Sequence, residues 1–301
     1  MTSFADSGGH SLPSQRACRA LNAMLKAYLD TNAIQLATGA FPTPESLETI
    51  LTAAGYELSL GGHVMYELAK AFITRRGDTQ PCLAVLAGME RIHYVPQPQA
   101  LIRGEVLQLR HGGKPLHVVS VPMAAAIRSG LYFLARGHVG RARSFIADRE
   151  KRFEIGHAEI ASANRDMIRS FLRANPTLRT KLRTFPDFRA ALRPLWPRIV
   201  RTVAGRLPWS LLERIFVRPS EFPILNTLLN GQLHLMYLSG LSNALPSRGR
   251  VDDYRNVLES NAADLFVTND ARLLKRFREI NPFRTAVAWQ DFMLRLRSAA
   301  P

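Results

Sequence analysis

The apolar residues fall into two patterns along the chain. Short runs bounded by Gly, Pro, Asn or Asp read as strands, and a 3.6-residue period reads as amphipathic helix. "LKAYLD" (25–30) is predicted as a strand followed by a turn at Thr31-Asn32, "YELSL" (56–60) as a second strand, and "RIHYVP" (91–96) as a third. Between them, "TPESLETILTAA" (43–54) opens with Thr-Pro-Glu, a strong helix start, and Gly61-Gly62 leads into a helix, "HVMYELAKAFITRR". "PQALIRGEVLQL" (98–109) is read as helical. Strand and helix alternating at this spacing indicate a parallel α/β sheet.

The pattern then changes. From about residue 123 to 209 the strand signals vanish and the segment reads as helix, broken into short pieces by the Pro-rich run "FPDFRAALRPLWPR" (185–198). Alternation returns with a long apolar helix (222–241), a loop (242–250), a helix led by acids (251–262), the buried strand "ADLFVTND" (263–270), a helix (271–280) and a last short strand and turn (285–293). The expected organisation is a polar N-terminal tail (1–20), a first α/β part (21–122), a basic helical insert (123–220) and a second α/β part (221–301). Within the early segment, 14–24 could form a short helix. The apolar stretch 222–241 is interrupted by Asn226, Asn230, Gln232 and His234, so a core helix is expected rather than a membrane span.

Charge narrows the partner class. The formal net charge is +16 in 301 residues. Residues 136–206 hold 17 Arg and Lys against 6 Asp and Glu, so most of the excess sits in the insert. Such a field attracts polyanions, nucleic acid before anionic membrane. Cys18 and Cys82 form no CxxC or metal spacing, and the N-terminus lacks the apolar run of a signal peptide; a reducing, cytoplasmic location is expected.

Two apolar strands end on a carboxylate, Asp30 and Asp270. In an open parallel sheet ligands bind at the carboxyl ends of strands, so both acids are candidates for one site. Glu67, on the helix after the second strand, and Asp252 and Asp253, opening the helix before the fourth, could join them. Carboxylates gathered in one cleft repel one another unless a cation sits among them. Hard divalent ions such as Mg2+ or Mn2+ take oxygen ligands and activate water for phosphodiester hydrolysis. Each acid also has an ordinary role open to it: a turn for Asp30, a solvent-facing position for Glu67, helix caps for Asp252, Asp253 and Asp270.

Other motifs carry less. "RHGGKPLH" (110–117) lacks phosphate-loop spacing and reads as a Gly-Gly turn. His63, His93, His111, His117, His138, His157 and His234 form no HxxxH or HExxH pattern and read as structural or surface residues. Trp196, Trp209, Phe185 and Phe188 lie among arginines and could stack on bases, but short Pro-broken helices also need aromatic anchors, and core packing is the expectation.

In chain order, Leu29-Asp30-Thr31-Asn32, the stretch "SLGGHVMYEL" with Glu67, an acid 17 or 18 residues before Val267-Thr268-Asn269-Asp270, and "VAWQDF" with Asp291-Phe292 resemble the PIN-domain ribonucleases. The resemblance covers roughly 22–110 and 220–295 and leaves 123–220 without counterpart. It implies a three-layer α/β/α PIN-like fold around a parallel sheet. It also implies a metal-dependent endoribonuclease for single-stranded or flexible RNA, with Mg2+ or Mn2+ on Asp30, Glu67, Asp253 (or Asp252) and Asp270. Thr31 and Asn32 would orient the first carboxylate or a metal-bound water, and Thr268 and Asn269 would act near Asp270. The insert lies outside the resemblance; its charge makes Arg141, Arg143, Arg179, Lys181 and Arg183 candidates to hold the RNA backbone, and it could instead bind another protein or cover the site. Alternatives are a non-catalytic nucleic-acid-binding or scaffold protein of the same fold, a small-molecule phosphohydrolase or nucleotide-binding enzyme of Rossmann-like shape, and the toxin of a toxin–antitoxin pair; a homo-oligomer or an inhibitory protein partner fits any of these.

Overall fold

The computed structural model describes residues 24–111, 121–174, 176, 184–205, 207–242 and 247–299. Its first part runs β1 (Leu25–Leu29), α1 (Thr31–Ala40), α2 (Pro44–Ala53), β2 (Tyr56–Leu60), α3 (Gly62–Thr74), α4 (Arg76–Gly88), β3 (Ile92–Tyr94) and α5 (Pro98–His111). A strand-free stretch follows: α6 (Val121–Ala135), α7 (Val139–Ala174), α8 (Phe185–Ala191), α9 (Trp196–Ala204), α10 (Trp209–Val217), α11 (Pro223–Ser242) and α12 (Arg248–Glu259). β4 (Leu265–Thr268), α13 (Ala271–Ile280), β5 (Thr285–Ala288) and α14 (Trp289–Ala299) close the chain.

The five strands form one all-parallel sheet in the order β3-β2-β1-β4-β5, flanked by helices in an α/β/α arrangement. The period-2 pleat assigns the faces. Tyr28 pairs in register with Phe266, and their rings meet on one face, where Tyr28 reaches α12 through Asn256 and Phe266 stacks on Phe277 of α13 at 4.7 Å. Tyr56, in register with Leu25, lies on the other face and meets Phe292 of α14 edge-on at 5.3 Å. With both faces covered, β4 is buried at all four positions, which is why it reads as an unbroken apolar run.

The chain moves from β1 through β2 to β3 on one side and returns through β4 to β5 on the other. The order therefore reverses between β1 and β4, and the crevice at their carboxyl ends is the topological switch point where open α/β sheets bind ligands.

Several expected boundaries shift. Thr31 and Asn32 are not a turn: they begin α1, because the Asp30 side chain accepts from the Ala33 amide and caps the helix. The helix before β4 starts at Arg248, so Asp252 and Asp253 lie in its second turn and neither is a cap. Asp291 sits in the first turn of α14 instead of a strand-end turn. α4 had no counterpart in the apolar pattern, and α7 is a single helix of 36 residues.

The strand-free stretch packs on the rest. α7 lies against α3 and α11, and α6 against α4. Trp196, Phe185 and Phe188 are buried, in keeping with core packing, whereas Trp209 is exposed. Its arginines make fold contacts: Arg189 lies over Trp196 and donates to Asn230 at 2.7 Å, and Arg201 donates to the Leu207 carbonyl. Close approach also fixes Gly231 of α11, where a Cβ would collide with the Tyr254 ring of α12. No helix among the described residues is long and apolar enough to cross a membrane.

Candidate functional site

An open cleft of about 360 Å³ lies at the switch point, and Asp30, Glu67, Asp252, Asp253 and Asp270 all line it. β1 delivers Asp30, α3 delivers Glu67, α12 delivers Asp252 and Asp253, and the turn from β4 into α13 delivers Asp270. More than 200 residues separate Asp30 from Asp270, and the parallel pairing of β1 with β4 closes that gap.

Asp30 is the most constrained of the five. Its backbone N–H donates to Val267 of β4 at 3.0 Å, which sets it directly across from Thr268. One carboxylate oxygen accepts from the Ala33 amide at 2.7 Å and the other from the Thr268 hydroxyl. Burial pushes its carboxyl up to about 6, against those two hydrogen bonds, and the charges of Glu67 and Asp270 add to the rise.

Burial would also raise Glu67, but here the opposing contacts win. The His63 imidazole, the Thr31 hydroxyl and the Asn256 side chain hold its carboxyl below the ordinary range. The Thr31 hydroxyl donates to one Glu67 oxygen, and His63 Nε2 lies 3.5 Å from the other. His63 itself is fully buried, and its Nε2 is also 3.9 Å from Asp252. Thr31 therefore orients Glu67, where the sequence pointed to Asp30.

Asp253 is paired with Arg276 of α13, and Asp252 with Arg255 at 3.0 Å. Burial pushes the Asp253 carboxyl up to about 6; Arg276 opposes the shift, and Asp270 and Glu67 reinforce it. Asp270 is exposed and caps α13, accepting from the Arg272 and Leu273 amides at 2.7 and 3.1 Å. Asn32 lines the cleft, whereas the exposed Asn269 accepts from Gln290 at 3.2 Å and does not.

The cleft's cations are not those expected. Lys70 and Arg75 line it. Arg141 and Arg143 of α7 do not; Arg141 lies over the Phe133 ring at 3.4 Å. Arg179, Lys181 and Arg183 lie outside the described residues. From α7, Arg149 lies 4.0 Å from the fully buried Glu259, and Glu150 accepts from the Tyr66 hydroxyl at 3.1 Å and lies 3.7 Å from Lys70. Glu259 also accepts from the Tyr28 hydroxyl at 3.1 Å and the His63 amide at 3.0 Å. A Cβ on Gly61 would collide with the Glu259 carboxylate and the Tyr28 ring, which explains the glycine directly after β2. The sequence reading missed His63, Asn256, Arg276 and Glu259 as site residues. None carries a motif, and only the fold brings them to the acids.

In kind, the donors fit a hard divalent ion: oxygen ligands on several elements, with like charges that a cation would relieve. In placement, no group of three or more His, Cys, Asp or Glu side chains among the described residues is positioned to hold one ion. Arg276 and Arg255 supply the positive charge at Asp253 and Asp252. Comparison of the chain with protein-family models, with curated proteins and with solved structures finds no match.

Proposed function

We propose that the protein is a metal-dependent endoribonuclease acting on single-stranded or flexible RNA, of the PIN-like kind its motifs resemble. The observation that carries this reading is the convergence of five acids, from distant parts of the sequence, on one open cleft at the switch point. Asp30, Glu67, Asp270 and one or both of Asp252 and Asp253 would hold Mg2+ or Mn2+. The ion would activate water and neutralise charge developing on the scissile phosphate. The chain's own residues prepare the ligands: Thr268 and the Ala33 amide fix Asp30, while Thr31 and His63 fix Glu67. Lys70 and Arg75 supply positive charge on the same cleft for the RNA backbone. An open cleft admits a flexible strand, which speaks against a small-molecule phosphohydrolase.

A second reading, a nucleic-acid-binding protein that keeps the fold without cleavage, draws on the arginine pairing of Asp252 and Asp253. Cleavage of labelled single-stranded RNA in Mn2+, Mg2+ or EDTA, with wild type beside Asp30→Asn and Asp270→Asn, separates the two. Metal-dependent cutting lost in both variants supports the nuclease. RNA binding with no cutting supports the rival.

A further inference from the structure

Helix α13 borders two clefts. Its cap, Asp270, lines the acidic one. Arg272, Lys275 and Arg276 line a second cleft of about 470 Å³. The second cleft has an aromatic wall: Phe185 from α8, and His234 and Tyr237 from α11. Phe185 meets His234 edge-on at 5.0 Å and Tyr237 at 5.9 Å, so the rings brace one another, and Tyr237 remains partly exposed. Arg272 and Lys275 are exposed and three residues apart, on one side of the helix. One acid, Glu279, shares the wall, and His234 Nε2 lies 3.2 Å from it. Arg276 joins the clefts: it lines the second, and its guanidinium holds Asp253 of the first.

An aromatic wall opposite exposed cations matches the two parts of a nucleotide, a base with a π-face and an anionic phosphate. We infer that the second cleft is a subsite for single-stranded RNA: it takes the nucleotide next to the one at the acidic cleft, with its base against Tyr237 and its phosphate on Arg272 and Lys275. The course of the strand rests on the ribonuclease reading; the binding does not need cleavage. The subsite gives the strand-free helical stretch a role in substrate selection through Phe185, and it favours RNA with at least two unpaired nucleotides.

The test is fluorescence anisotropy with a labelled ten-nucleotide single-stranded RNA in EDTA, across a salt series. Wild type is compared with the double variant Arg272→Ala/Lys275→Ala, with Tyr237→Leu and with Tyr237→Phe. The double variant is expected to bind at least tenfold more weakly, with the salt slope lowered by about 1.4 for two lost phosphate contacts. Tyr237→Leu is expected to lose about fivefold or more with the slope unaltered, and Tyr237→Phe to bind like wild type. Wild-type affinity and slope in both the double variant and Tyr237→Leu would overturn the subsite. The ribonuclease reading fails separately, on the absence of Mn2+-dependent cutting by wild type. Pocket-dependent binding without cutting would leave the subsite standing and remove the nuclease.

Discussion

Thr268 links the two strand-end aspartates: its hydroxyl donates to Asp30 and accepts the backbone N–H of Asp270 at 3.0 Å. The relationship follows from the parallel register of β1 and β4, which sets Asp30 across from Thr268. Thr268→Val keeps the shape and removes the hydroxyl. A buried carboxylate then loses one of its two donors, which costs about 1–3 kcal/mol. Urea unfolding is expected to show that loss for Thr268→Val and little of it for Thr268→Ser.

His63 occupies the space between Glu67 and Asp252. If it positions those acids for a cation, His63→Leu weakens Mn2+ binding by roughly 10–100-fold, the range typical of groups that orient metal ligands. Calorimetric titration of Mn2+ is the measurement, with far-ultraviolet circular dichroism to establish that the fold is kept. Equal Mn2+ affinity in wild type and variant would reduce His63 to a packing residue.

At Gly61 even one methyl meets the Glu259 carboxylate and the Tyr28 ring. Both neighbours are buried, and Glu259 is held by Tyr28 and His63, so neither moves aside without breaking a hydrogen bond. Gly61→Ala is expected to destabilise the protein by about 1–3 kcal/mol through overpacking. Thermal unfolding checks it, with Gly39→Ala, at an exposed position where a Cβ meets nothing within 4 Å, as the comparison.

Much of the sheet was legible in the sequence because strands covered on both faces are continuous apolar runs, as in "AYL" and "LFV". The acids at the ends of β1 and β4 could be paired on that basis. What lay beyond sequence was the identity of their partners. An aspartate before Thr-Asn serves a turn or a helix cap equally well, and at Asp30 the Ala33 amide decides for the cap. The start of α12 was hidden because "RGRVDD" has no apolar period and Ser247 makes no side-chain cap. Arg276 lies 23 residues from Asp253, and His63 carries no spacing signal, so both emerge only from helix packing.

Glu105 of α5 is buried and accepts the N–H groups of Ile224 and Leu225, satisfying the first turn of α11. Burial pushes its carboxyl up to about 7, against those two hydrogen bonds and the charge of Arg284. A carboxyl raised in the folded state contributes stability that is full below its unfolded value, near 4.5, and lost as pH rises through 7. The amount is on the order of 3 kcal/mol. Wild type is therefore expected to lose stability between about pH 4.5 and 7 in urea titrations. Glu105→Gln is expected to be less stable at pH 5 but to show a flatter profile, and an equal slope in both proteins would assign the pH dependence elsewhere.

The most direct test of the account is cleavage of an end-labelled single-stranded RNA by wild type, Asp30→Asn and Asp270→Asn, each with Mn2+, Mg2+ or EDTA. Wild type is expected to cut with metal and not in EDTA, and both variants to lose at least a hundredfold in cutting. Undiminished cutting by either variant, or salt-sensitive RNA binding by wild type with no cutting under any condition, would contradict it.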